Sequence, residues 1–413
     1  MKLKVRFLSL LLLVLFSTRI SYANEPSVAE LRAMGPAGLQ TVMDRYRDEI
    51  NRHIAHPDAT DEQWQQIATA LDTVAQQKNS YIAGLYWYTD LDSAKQASLA
   101  SGKPILSLRL LGKLTDELSC ANSRFFRTVL YPNTEVASAL REHFVLHWQS
   151  VRPVPVVTID FGDGRKLERT LTGNSIHYIL DSEGRPIEAL PGLYGPPAFL
   201  RELANAASLF KSLAGKTAQE RDFLLRKYYG EQHNKLAMSW TIDTGKIGGK
   251  APAGFVITKT ATGDALMVAP LAVTKAITET TVLRAMNTAT DALGNITDEA
   301  AWKKIAQLHA SDALLDGRSI ALIKRQNPAL SETEIARLVN KFQELIALDT
   351  VRNEYLMHTK LYTWLMRDPA RDDVEKFNEK VYASLFLTPS SEPWLGLFST
   401  DLYTALDNGG IKP

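Results

Sequence analysis

The sequence predicts an α/β sandwich set between an N-terminal helical segment and a mainly helical C-terminal domain. Three observations carry this. Up to about residue 80, apolar side chains recur at helical spacing. From Leu85 to Leu213, short apolar runs alternate with helical stretches and then pair off around turn residues. Beyond Leu213 the helical period returns. A chain of 413 residues with 45% apolar content has material for two or three cores.

At the N-terminus, Lys2, Lys4 and Arg6 precede an apolar run from Phe7 to Phe16, and Ser21-Tyr22-Ala23 makes a small-x-small pattern before Asn24. This is the pattern of a Sec signal peptide, residues 1–23, cleaved near Ala23, and it implies a periplasmic or secreted protein. The run is too short to anchor in a bilayer, and no later segment reaches the ~20 apolar residues of a spanning helix.

Residues 24–82 form the N-terminal helical segment. Thr60-Asp61-Glu62-Gln63 reads as a capping box, and Trp64, Ile67, Leu71 and Val74 follow at helical spacing as core positions turned toward the next domain. Tyr86, Trp87 and Tyr88 are expected to pack at that junction.

Residues 83–213 make the sandwich. Asp90 to Ser101 is a helix ended by Gly102-Lys103-Pro104, and 105–111 reads as a buried strand. Helices are expected over Cys120 to Leu130 and Thr134 to His143, and a second strand over 144–148. Two hairpins follow, 156–161 with 166–171 around Gly162-Asp163-Gly164, and 177–181 with 186–190 around Ser182-Glu183-Gly184-Arg185. A helix from Pro197 to Phe210 closes the unit.

Residues 214–413 are mainly helical. Ser331-Glu332-Thr333-Glu334 is a capping box, followed by an amphipathic stripe of Ile335, Leu338, Val339, Phe342, Leu345 and Ile346. A further helix covers Val351 to Met366. Ser239 to Val268, rich in Gly, Thr and Ala, reads as a loop or irregular hairpin. The tail around Pro393-Trp394-Leu395-Gly396-Leu397 is broken by proline and is expected to clamp over the helical domain.

With Lys+Arg 47 against Asp+Glu 46, the net charge is +1 and no long run of one sign occurs, so neither nucleic acid nor an anionic membrane surface is an expected partner. His143, His147 and His177 are read as ordinary core or surface histidines rather than ligands, because the i,i+4 pair straddles a helix–strand boundary. Asp160, Asp163 and Asp181 are read as turn aspartates beside glycine. No metal or cofactor is expected.

The chemistry-bearing candidate is Cys120, the sole cysteine, in Ser119-Cys120-Ala121-Asn122-Ser123-Arg124-Phe125-Phe126. No internal disulfide can form. A thiol at a helix start meets unpaired backbone N–H groups and the positive end of the helix dipole, both of which favour thiolate. Ser123, one turn on, is placed to donate a hydrogen bond to the sulfur, and Arg124 adds positive charge.

The stretch from Trp87 to Leu213 resembles the thioredoxin-like domains of exported bacterial proteins. The features that carry the resemblance are an amphipathic helix, Gly-Lys-Pro, a buried strand, Cys-x-x-Ser at a helix start, a later strand ending in Asp-x-x-Gly, and Leu190-Pro191-Gly192-Leu193-Tyr194-Gly195-Pro196 before a helix. The Leu-Ser-Cys-Ala-Asn-Ser-Arg-Phe-Phe segment resembles one shared by uncharacterised bacterial proteins. The resemblance implies a nucleophile at Cys120, with Ser123 replacing the resolving cysteine and Ser175 standing where the family's substrate-docking cis-proline lies. It therefore implies a monothiol engaging a protein or low-molecular-weight thiol partner by thiol–disulfide exchange, as an oxidoreductase or isomerase. The alternative is a non-catalytic thioredoxin-fold scaffold or binding and assembly protein.

Overall fold

A computed structural model of the chain describes residues 26–56, 61–170, 173–248 and 299–391, with a few isolated positions beyond. Residues 1–23, expected to be a signal peptide, most of the Gly/Thr/Ala-rich stretch and residues 394–397 of the tail lie outside the described residues. The architecture is mixed α/β, with a small mixed sheet and a helical C-terminal region. Among the described residues no helix is long and apolar enough to cross a membrane.

Among the described residues six strands form: β1 (Ile105–Leu111), β2 (Val145–Arg152), β3 (Val156–Asp160), β4 (Lys166–Thr170), β5 (Ile176–Leu180) and β6 (Pro186–Pro191). Four of them make one sheet in the order β2-β1-β5-β6, while β3 and β4 pair separately. β1 runs parallel to β2 and antiparallel to β5, and β5 antiparallel to β6. The unbroken run of seven buried side chains in β1 is explained by its place inside this sheet, between β2 and β5 and covered on both faces.

Registers Ser107↔Tyr178 and Leu108↔His177 set the two faces. On one face Tyr178 meets Phe377, and Arg109 meets Glu375, both from the Val374–Ser384 helix. On the other, His177 lies among Phe126, Tyr131 and Phe199. A C-terminal helix thus forms one slice of the sandwich. The apolar core does not stop at Leu213; one cluster runs from Ala83 through the strands to Phe386.

The N-terminal helices Val28–Ala33, Pro36–Arg45, Arg47–Ala55 and Glu62–Ala75 have their own core. Trp64, Ile67, Leu71 and Val74 are buried as expected, but against Leu31, Leu39, Val42 and Ile50 of the same segment rather than the sandwich. The cap of the fourth helix is Asp61, whose carboxylate accepts from Trp64 N–H at 2.7 Å; with Trp64 at the third helical position no side chain reaches back, so the capping box read from Thr60 is replaced by a simple N-cap. Tyr86 belongs to this small core and Trp87 to the large one, which makes the aromatic trio the seam between them.

In the C-terminal region Ser331 forms the expected capping box, and its helix, Glu332–Arg352, continues through a π-helical turn, Asn353–His358, into Thr359–Arg367. Leu338 and Leu345 of the expected stripe are exposed, whereas Ile335, Val339 and Ile346 are buried. The expected loop from Ser239 is instead helical up to Lys246, within Ala218–Lys246. Trp240, packed against Trp302 with the rings tilted and their centroids 5.1 Å apart, and Asp243, bonded to Tyr355 and His309, hold that end.

Gly195 joins β6 to the Pro196–Ser212 helix, and its N–H donates to Thr350 Oγ1 at 2.9 Å. A Cβ there would lie 2.0 Å from the Asp312 carbonyl oxygen, and backbone cannot yield as a side chain would. Gly195→Ala is expected to cost about 2–3 kcal/mol, read from the urea midpoint. An unchanged midpoint would contradict this packing.

Candidate functional site

Cys120 caps the helix that begins at Ala121; with φ −61° and ψ 160° it lies just outside the first turn. The segment runs as Ala121–Phe125 and then a π-helical turn, Phe126–Leu130. The sulfur takes the place usually held by a Ser, Thr or Asp oxygen and accepts from Ser123 N–H at 3.4 Å. The expected contribution of Ser123 therefore comes from its backbone. Its hydroxyl is buried and has no hydrogen-bond partner among the described residues.

Arg124 sits close enough to favour the thiolate, but its guanidinium is engaged elsewhere, donating to the Ser119 carbonyl at 2.5 Å and to Thr170 Oγ1 at 2.7 Å. This ties the end of the β3–β4 hairpin to the cysteine loop. Ser175 immediately precedes β5, and its hydroxyl accepts from Asn122 Nδ2 at 3.0 Å. The sequence-predicted positions are thus brought together, with Asn122 bridging the cysteine helix to Ser175.

The thiol is closed in. Cys120 has 0% exposure and belongs to the main apolar core. From the Val374–Ser384 helix, Tyr382 donates to the Asn174 carbonyl at 3.0 Å, alongside Ser175. Phe342 meets Phe125 edge-on at 6.0 Å. Burial pushes the Cys120 thiol up, and the Ser123 N–H and the Arg124 charge offset it only in part. A neutral, enclosed thiol is a weak nucleophile.

The three histidines do not converge. His147 Nδ1 pairs with Ser107 Oγ at 2.8 Å on one face of the sheet, while His177 Nε2 pairs with Tyr131 at 2.7 Å on the other. Among the described residues no group of three or more His, Cys, Asp or Glu is placed to hold a metal ion. Asp160, Asp163 and Asp181 serve their turns, each accepting from a backbone N–H two residues on.

Sequence reasoning missed a polar assembly on the far side of β6. Glu188 is 0% exposed and accepts from Ala189 N–H at 2.8 Å, His358 Nε2–H at 3.0 Å, Tyr228 at 2.8 Å and Tyr362 at 3.1 Å. His358 also pairs through Nδ1 with Tyr194. The available signal was a glutamate inside the otherwise apolar strand Pro-Ile-Glu-Ala-Leu-Pro. Its partners lie up to 174 residues away in sequence.

Comparison of the chain with protein-family models, with curated proteins and with solved structures returns no match.

Proposed function

We propose that the chain is an exported, thioredoxin-like scaffold in which Cys120 is a structural helix cap, and that its role is non-catalytic binding or assembly. The observation that carries this reading is the enclosure of the sulfur: fully buried, used as a cap acceptor, and raised above its ordinary pKa by that burial. An exchange nucleophile must meet a partner disulfide in line with its own sulfur, and a side chain without exposed surface has no such approach. The thioredoxin-like part is supported by the order of elements: buried β1, cysteine at the following helix start, Ser175 before β5, the β5–β6 hairpin and then a closing helix. Export is supported by the basic, apolar and small-x-small pattern of residues 1–23.

The arrangement around Ser175 agrees with this role. Where the resemblance implies a substrate-docking residue, the Gly173 carbonyl and the Ser175 hydroxyl both accept from Asn122, and the Asn174 carbonyl accepts from Tyr382. The corner that would receive a partner is filled by the protein's own helical region.

The test is alkylation of the folded mature protein across pH. Cys120 is expected to stay unmodified up to about pH 9 and to react only when denaturant unfolds the chain. Rapid labelling of the native state below about pH 7.5 would overturn the scaffold reading in favour of monothiol exchange.

A further inference from the structure

We infer that a second site, a pocket between the Pro196–Ser212 and Ala218–Lys246 helices and the π-helical turn Asn353–His358, binds a short zwitterionic amine. Its ammonium would meet Glu354 at the inner end and its anionic end would meet Lys235 at the mouth. The cavity measures about 160 Å³. That is close to the ~150 Å³ of cavities known to take a benzene-sized guest, so a ligand of about seven non-hydrogen atoms fits.

The inner wall carries more negative than positive charge. Arg201 is shared by three carboxylates: Nε meets Glu202 at 3.1 Å, one terminal nitrogen meets Asp312 at 3.0 Å, and the other meets Glu354 at 2.6 Å. His309 sits between Asp243 at 2.6 Å and Asp312 at 3.6 Å. Lys246 also reaches Asp243, at 3.3 Å, from outside the pocket lining. With His309 held protonated by its two aspartates, the four carboxylates Glu202, Asp243, Asp312 and Glu354 share three cations, Arg201, His309 and Lys246, while His358 is taken up by Glu188, so the group is one cation short.

Glu354 is where that deficit is exposed. Its side chain is 7% accessible, Oε1 is taken by Arg201, and Oε2 has no hydrogen-bond partner among the described residues. The residue lines the cavity, so its small accessible surface opens there. Burial, together with the charges of Glu202 and Asp312, holds this carboxyl up at about 7 against the pull of Arg201. An arriving ammonium supplies the missing counter-charge and a donor for Oε2, and in a desolvated site such a charged hydrogen bond is among the stronger ones.

The outer wall has the opposite character. Gln232, Lys235 and Ser239 line the pocket from one face of the Ala218–Lys246 helix, and none has a hydrogen-bond partner among the described residues. Lys235 is exposed. A cation at the rim disfavours a plain alkylamine and favours a molecule whose far end is a carboxylate. The π-helical turn assists by placing Glu354, Tyr355 and His358 all on the pocket wall, and such turns recur at ligand sites.

The probe is 4-aminobutyrate, titrated into the full mature protein by calorimetry or by NMR shift. It is expected to bind saturably, with butyrate, which lacks the ammonium, at least about tenfold weaker. Glu354→Gln is expected to weaken 4-aminobutyrate about tenfold or more. Because Glu354 is buried, Ser239→Phe provides a second variant that fills the mouth without touching the ion network. It is expected to abolish binding while the melting temperature holds. No saturable binding of 4-aminobutyrate to the folded wild-type protein up to ~10 mM, butyrate binding equally well, or full binding by the Ser239→Phe variant would each overturn the assignment. Cys120 reactivity is untouched by any of these outcomes, so this site and the scaffold reading stand or fall separately.

Discussion

Replacing Glu188 by leucine is expected to remove about 3–5 kcal/mol of folding stability, whereas glutamine at the same position costs about 1–2 kcal/mol. The difference comes from how many donors converge on the carboxyl group. Ala189 N–H, His358 Nε2–H and the Tyr228 and Tyr362 hydroxyls all point at it inside a site with 0% exposure. Leucine leaves every one of them without an acceptor. A glutamine amide keeps one oxygen for Ala189 and His358, and its NH₂ can donate to a tyrosine hydroxyl turned to accept. The hydroxyls adapt because they can be donor or acceptor, but the backbone N–H and the imidazole cannot rotate away.

The same substitution has a second readout that separates pairing from packing. Burial lowers the pKa of His358, but the hydrogen bond and charge of Glu188 outweigh it, so the folded pKa lies above the ordinary value. A histidine raised in this way stabilises the fold fully below its unfolded pKa, near 6.5, and loses that contribution as pH climbs through the folded value. Glu188→Gln is therefore expected to drop the His358 titration seen by NMR and to flatten the decline of stability above pH 6.5. Equal denaturant midpoints for the leucine and glutamine variants, or an unmoved His358 titration, would show that the carboxyl group is not the centre of this assembly.

Much of the fold was legible because its determinants are local. The apolar run of β1, the Gly102 that ends the Leu91–Ser101 helix in a left-handed turn, and the Ser331–Glu334 box each act within a few residues. Ser239 to Lys246 was misread for the opposite reason. Thr241, Thr244 and Gly245 are weak helix formers, and that end is held by Trp302, His309 and Tyr355, which come from at least 60 residues away.

The candidate site divides along the same line. That Cys120 opens a helix and that Ser175 lies nearby follows from element order, and both are found. That the thiol is enclosed does not, since Tyr382 is 208 residues from the Asn174 carbonyl it binds. Position along a helix was readable; solvent access was set by a different part of the chain. The Arg201 network is less legible still, because its glutamates and aspartates look like solvated helix residues until four helical segments bring them together.

Acidification is expected to destabilise the protein steeply from about pH 6.5 downward, with buried histidines as a principal cause. Burial pulls His177 down to about 3, and burial together with the Arg109 charge pulls His147 down to about 3 against the opposing pull of Asp90. Both are neutral when folded and take up a proton only on unfolding. The unfolded state thus binds more protons, and stability falls as pH drops below the unfolded pKa and keeps falling until about 3. Each residue is expected to account for about 3 kcal/mol of loss by pH 4. The two are separable from the carboxylates that also titrate there. His177 lies among Phe126, Tyr131 and Phe199, so His177→Phe suits the aromatic packing and sacrifices only the partner of the Tyr131 hydroxyl. At pH 7 that variant is expected to be about 1–2 kcal/mol less stable than wild type. Near pH 4 the order is expected to reverse, because phenylalanine has no proton to gain. Urea midpoints measured across pH 4 to 7 decide this: parallel curves for the two proteins would mean that His177 is not held neutral by its surroundings, and that the face of the sheet toward Tyr131 admits water.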